Sequence, residues 1–302
     1  MAGPGQLCRL ALLAPLLLSL HLFPQTEADP STVTELVRTA ASNFKSREPQ
    51  RNDYTYLAHI VRTEFDRDGQ PKGNISGTYE IMFLEGSPYR RLIQVNGEPL
   101  SEEREKHEQL LEAAEAERRR SREGSQQTFP ASFSTLVAQL PEQFRLRSRG
   151  KQLQEGRQAL VIEALPDAQH PSTMPEQEYA RHFKLKVWID LAETQIVRIE
   201  SQVISDKLTL DQDLPSFSPD MQLAGMKRFR VEVAHGTTDA MEWTKVNDEA
   251  WLPKSAYWKT AKETLVDVSS SQPMAPVSFP VQLTWSFSDY KKFRVDARVI
   301  PK

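Results

Sequence analysis

The chain is 302 residues long, 39% of them apolar or aromatic and 26% charged, with a formal net charge of −3. Chains of this size bury roughly three quarters of their extended surface, so a core without staples is within reach, and the faintly acidic balance offers no footprint for nucleic acid. The single cysteine, Cys8, lies near the start, so no disulfide or thiolate metal site can form in the rest.

Residues 1–28 read as a cleaved secretory signal peptide. Arg9 precedes an apolar run from Leu10 to Leu22 broken only by Pro15, Ser19 and His21, and Thr26-Glu27-Ala28 places small residues before a cut at Asp29. The run is short for a membrane span. Cys8 precedes the run and cannot carry a lipid on the mature chain. Residues 29–302 are then expected as one domain. Export without cysteine suggests a bacterial periplasm by analogy.

The first mature element is a helix. Thr32 and Glu35 have capping-box spacing. Val33, Leu36, Val37, Ala40, Ala41 and Phe44 form one apolar stripe, and Pro49 closes the segment. Strands follow at 54–65, 75–84 and 89–95, with turns at 66–69, 86–88 and 96–97. Asp66-Arg67-Asp68-Gly69 resembles the start of a calcium loop. Its twelfth position is Gly77 rather than Glu, so it is read as a plain turn. Asn74-Ile75-Ser76 fits a glycosylation acceptor, idle in a bacterial setting.

A charged helical insertion is expected over 100–123. Ser101 caps it, Glu102, Glu103 and Glu105 stand near its start, and Arg118, Arg119, Arg120 and Arg122 near its end, matching the macrodipole. Its apolar stripe of Leu110, Leu111, Ala113, Ala114 and Ala116 is thin, which favours a solvated surface helix over one whose basic end rests on anionic lipid. A shorter helix is expected over 131–139, ending at Pro141.

Strands then resume as a hairpin, 143–153 and 157–165, with a loop over 166–175. The clearest signal is residues 181–204. Phe183, Leu185, Val187 and Ile189 alternate with polar residues, then Val197, Ile199 and Val203 do the same after a four-residue break. Further strands are read at 226–234, 240–246, 251–261, 264–268 and 281–287, with 207–225 ambiguous and 269–280 a loop.

Motifs that carry chemistry are missing. There is no Gly-x-Ser-x-Gly, P-loop, Gly-x-Gly-x-x-Gly or His-Glu-x-x-His. His59, His107, His170, His182 and His235 show no ligand spacing within one element. Asp190, at a strand end before a tight loop, suits the role of turn acceptor better than that of catalytic acid. No catalytic residue, metal or cofactor is expected, and the chain is read as a non-enzyme.

The fold class expected is mainly β (α+β): a large antiparallel sheet with few helices. All five tryptophans fall in strand-like runs. A sheet this long cannot cover its apolar face alone, so it closes as a barrel or leaves a trough for a guest.

The runs VWIDLAETQIVRIE, WTKVNDEAWLPKSAYW and WSFSDYKKFRV, with the earlier YEIMFLEGSPYRRLIQVNGEPLSEEREK, resemble exported bacterial proteins related to the outer-membrane lipoprotein-sorting proteins. That group includes the lipoprotein carrier, its outer-membrane receptor and the periplasmic sensor that binds an anti-sigma factor. The resemblance implies a strongly curved half-barrel with helices closing its concave side and acyl chains in its cavity. The long Glu/Arg-rich helix, the larger size and the missing lipid-bearing cysteine depart from it. Strand phase proposes Leu185, Val187, Ile189, Phe229, Val231, Val233, Trp243, Trp285 and Phe287 as trough lining. The partner expected is an acylated lipoprotein or lipid, bound by a monomer. The alternative is a sensor or assembly factor that binds a protein or a membrane surface, and a hydrolase with an unrecognised site is the weakest reading.

Overall fold

The computed structural model describes residues 29–66, 68–84, 87–121, 133–170, 175–213, 228–267 and 277–292. The leader reading of 1–28 lies outside them. Helix α1 (Pro30–Ser46) begins three residues before the capping-box reading. Asp29 is its N-cap and accepts from Ser31 N at 3.3 Å, while Pro30 fills the first helical position. Glu35 pairs with Arg38 instead. The four-residue α2 (Glu48–Arg51) then leads into β1 (Tyr54–Phe65), β2 (Pro71–Leu84), β3 (Ser87–Val95) and β4 (Glu98–Pro99). The turn after β1 is a plain one, with Asp66 Oδ1 accepting from Asp68 N and Gln70 N.

Next come α3 (Glu102–Ser121), α4 (Phe133–Gln143), β5 (Phe144–Gln154), β6 (Arg157–Pro166), α5 (Pro175–Ala180), β7 (Phe183–Asp190) and β8 (Gln195–Val203). The chain ends in β9 (Lys207–Asp213), β10 (Arg228–Ala234), β11 (Thr238–Val246), β12 (Ala250–Asp267) and β13 (Val277–Lys292). Three readings need correction and an ambiguous one is resolved. Helix α4 runs through Pro141, because a proline in the last turn costs little beyond a hydrogen bond that fraying already weakens. In the stretch left ambiguous at 207–225, residues 207–213 are the strand that one of its readings allowed. The strands read at 251–261 and 264–268 are one, β12. β13 begins at Val277, inside the stretch read as a loop, where Pro280 sits within the strand.

Eleven of the described strands pair antiparallel in the order β4-β3-β2-β1-β13-β12-β11-β8-β7-β6-β5, and β9 and β10 lie off this path. β12 carries β11 along Ala250–Lys259 and β10 along Glu263–Asp267. β10 and β11 are thus one long strand broken at 235–237, and β9 prolongs β8 in the same way. At the break Gly236 takes φ +81°, Gly236 N donates to Val203 O, and the Thr237 and Thr260 hydroxyls meet at 2.7 Å. β4 and β5 end the order without meeting, so the sheet is an open half-barrel.

Three helices occupy different places. α1 packs on β5 and β8, and α4 packs on α1 and β5. α3 lies along β3. There Glu108 accepts from Leu92 N at 3.3 Å, and Arg119 donates to Leu84 O and Pro88 O, each at 3.0 Å. The charged helix therefore guards a sheet edge whose backbone groups would otherwise be open to a second strand. Ser101 starts it as expected, its Oγ accepting from Arg104 N at 3.4 Å. Among the described residues no helix is long and apolar enough to cross a membrane.

Candidate functional site: one apolar face, half filled

Strand register carries a single row of side chains across nine strands. Ile162 faces Val187, which faces Ile199, then Met241, Ala256, Trp285, Ile60, Gly77 and Val95. Directly paired residues of an antiparallel sheet point the same way. Val187 and Trp285, four pairings apart, therefore share one face. A second row adds Phe287, which faces Ala58, then Tyr79 and Leu92. Gly77 is needed here because a Cβ would stand 2.9 Å from the Tyr79 ring.

The two halves of this face differ. Over β5–β8 and β11, α1 supplies Val33, Val37, Ala40, Ala41 and Phe44, and α4 supplies Leu136, Val137 and Leu140. Leu185, Val187 and Ile189 lie beneath them, each at most 1% exposed. Trp243 stands edge-on to Phe44, with centroids 5.0 Å apart, and to Phe133 at 6.4 Å. Val233 belongs to the same cluster. Phe229 and Val231 are on β10, but their side chains lie outside the described residues.

Over β1–β3 and β13 the packing is thinner. Ala58, Ile60, Tyr79, Ile81 and Leu92 are buried, while Tyr56, Trp285 and Phe287 are only partly so. Tyr56 meets Phe287 edge-on at 5.8 Å. The described helices make their main contacts with β3, β5, β8 and β12, and none of comparable extent with β1, β2 or β13. The proposed lining thus falls into two groups, Leu185, Val187, Ile189, Val233 and Trp243 in one cluster and Trp285 and Phe287 in another.

Polar groups interrupt this face at two points that the sequence did not disclose. Between Ser201 and Trp258 sits Asp239, beside a cavity of about 40 Å³ that Tyr179 and Phe183 also line. Burial pushes the Asp239 carboxyl up to about 7, against the opposing pull of the Ser201 hydroxyl at 2.5 Å. Near the junction of the two halves, Arg51 reaches under α1. Its guanidinium carbon lies 4.4 Å from the Phe44 ring centroid, and its Nε donates to Trp251 O at 3.3 Å.

The turn end of the sheet holds a polar cleft of about 210 Å³ between Arg157, Asp190, Lys245, Trp243 and Trp251. Asp190 accepts from Glu193 N at 2.8 Å and from Arg157 through both oxygens, which is the turn role expected of it. Glu193 binds Arg47, Arg157, Lys245 and Trp251 Nε1. Burial raises its pKa, yet the Lys245 and Trp251 hydrogen bonds and the two cations outweigh that and hold it down at about 2. These groups are matched to one another, so the cleft is a structural clamp on three turns. Among the described residues no three His, Cys, Asp or Glu side chains stand close enough to hold a metal.

No family model and no curated protein matches the sequence. Solved structures do match. The chain is similar to a LolA superfamily protein from Nitrosomonas europaea, at 8% identity and TM-score 0.31 over 89% of this chain and 97% of that one. It is similar to a putative outer membrane lipoprotein-sorting protein domain from Vibrio parahaemolyticus, at 11% identity and TM-score 0.33 over 87% and 93%. It is also similar to a chain of the Pseudomonas aeruginosa MucA/MucB complex, at 10% identity and TM-score 0.24 over 82% and 94%. Lipoprotein-sorting proteins and MucB, the group that the sequence resembles, are thus among its structural neighbours. At these scores the likeness carries no argument about cargo or partner.

Proposed function

We propose that the chain is an exported, periplasmic, monomeric binding protein that lodges the acyl part of a lipoprotein or lipid on the β1–β3 and β13 half of its apolar face. The observation that carries this reading is the register row, which continues the face of a filled core onto Trp285 and Phe287 with no described helix seated there. Trp285 and Phe287 form the contact wall, and Val233 belongs to the filled core beside it. Leu185, Val187, Ile189 and Trp243 make the floor that holds α1 and α4 and sets the curvature. Each methylene removed from water contributes about 0.8 kcal/mol, so ten contribute roughly 8 kcal/mol. Association costs about 4 kcal/mol or more, so one chain suffices without a charged contact. The protein acts by holding and releasing, with no bond made or broken.

Displacement of a fluorescent fatty acid tests the reading. Replacing Trp285 and Phe287 together by Ala weakens probe binding ten-fold or more while leaving the fold cooperative. Leu185→Ala lowers stability by ~2–5 kcal/mol, as emptied core sites do, and leaves affinity within three-fold. Equal loss of affinity in both variants, or none in either, contradicts the assignment.

The second reading, a sensor that grips a peptide, draws on β5, an eleven-residue strand at the open end of the sheet. An extended partner could add to it. Capture of an added peptide that survives the Trp285/Phe287 change would favour this reading.

A further inference from the structure

We infer that the guest is an anionic amphiphile whose carboxylate or phosphate head is met by Arg51. This rests on the trough reading above and deepens it.

Arg51 ends α2 at the border between the two halves of the face. On one side are Phe44 and Trp243, with centroids 4.4 and 5.9 Å from its guanidinium carbon. On the other is Tyr56, the phenol whose charge acts on it and which meets Phe287. A guanidinium offers five N–H donors. Nε donates to Trp251 O, but Nη2 is buried and has no hydrogen-bond partner. A buried donor left unmet is costly, and more so on a cation. Evolved cores seldom retain one without a use.

A second cation stands in the same place. Arg90 faces Ile81, and Ile81 faces Tyr56, so Arg90 and Tyr56 share the trough face. Burial draws both arginines down to about 10, so both stay charged at neutral pH. Among the described residues Glu48 acts on Arg51 from outside the trough, and Tyr56 and Tyr79 act on Arg90. Two guanidinium groups thus flank a phenol at one end of an aromatic wall. Planar N–H forks fit carboxylate and phosphate oxygens in pairs. An acyl tail along Phe287 and Trp285 brings its anionic head to this end.

Calorimetry with dodecyl phosphate, dodecanoate, dodecyl maltoside and inorganic phosphate tests the inference on the full mature chain. The two anionic amphiphiles are expected to bind at least ten-fold tighter than the maltoside of equal tail. In R51Q that preference falls to within two- to three-fold, chiefly through weaker binding of the anions. Equal affinities for all three amphiphiles in the unaltered protein overturn the head site and leave the carrier reading standing. Binding of no amphiphile overturns both. Inorganic phosphate that competes at the same concentrations as dodecyl phosphate identifies a free-anion site and overturns the amphiphile class. The comparison in unaltered protein stands even if R51Q does not fold. In that event R90Q, on a different element, is expected to lower the preference, and an unchanged preference in R90Q counts against a paired site.

Discussion

Asp239 is the residue whose titration should be visible in the stability of the whole molecule. Its carboxyl is held near 7 in the fold against an ordinary value of 3.8, so the folded state binds its proton more tightly than the unfolded chain. Its contribution is full below about pH 4 and is lost as pH rises towards 7. Glu193, held near 2 against an ordinary 4.5, works in the opposite sense, stabilising above about pH 4.5 and losing that effect as acid is added. Urea melts across pH 4–8 should therefore show a decline between 4 and 7 that Asp239→Asn removes. An unchanged slope in that variant contradicts the placement of Asp239 beside an apolar cavity. Sequence could assign Asp190, because a strand end before a tight loop narrows what an aspartate does. It could not assign Asp239 or Arg51. Asp239 looks like any strand residue until Ser201 and Trp258 are known to flank it. Arg51 sits in a polar stretch whose only signal is charge.

At the scale of elements, alternation was the most readable signal. The hairpin read over 181–204 is β7 and β8, and its period-2 pattern set the phase for the whole face. Boundaries were harder. Asp29 and Pro30 are a strong helix start, but they stand directly after the expected cleavage point, and the eye passes to Thr32. The charged helix was legible as a helix and not as an edge guard, because its partners are the backbone groups of β3, which carry no sequence signature. That role is testable. Arg119 meets two carbonyls at the β2–β3 turn and an i−4 Glu115. Arg119→Ala should cost ~1–3 kcal/mol, as hydrogen bonds from a charged group do. It should also raise concentration-dependent association in sedimentation, since the bared edge can pair. A variant that loses neither stability nor monomer would show that α3 rests on the edge without protecting it.

For the molecule as a whole, a large antiparallel sheet followed from the pattern of many apolar strands and few helices, while its openness was left between barrel and trough and came only with the resemblance to lipoprotein-sorting proteins. The division of its face did not. Which strands α1 and α4 cover depends on strand order, and that order places β13 between β1 and β12, far from its position in the chain. The core under α1 and α4 is self-sufficient, with Leu185, Val187, Ile189 and Ile196 almost wholly buried. The aromatic half continues the same face with less over it. A protein built to be stable alone has little reason to leave Trp285 and Phe287 only partly buried on this face, whereas one built to hold a guest needs such a surface. Native mass spectrometry of the chain as purified from a bacterial periplasm tests this most directly. The account predicts a population heavier than the polypeptide alone by the mass of one acylated molecule, stripped by gentle activation and absent when Trp285 and Phe287 are both Ala. Only the bare polypeptide mass, unchanged after incubation with lipids, would contradict it.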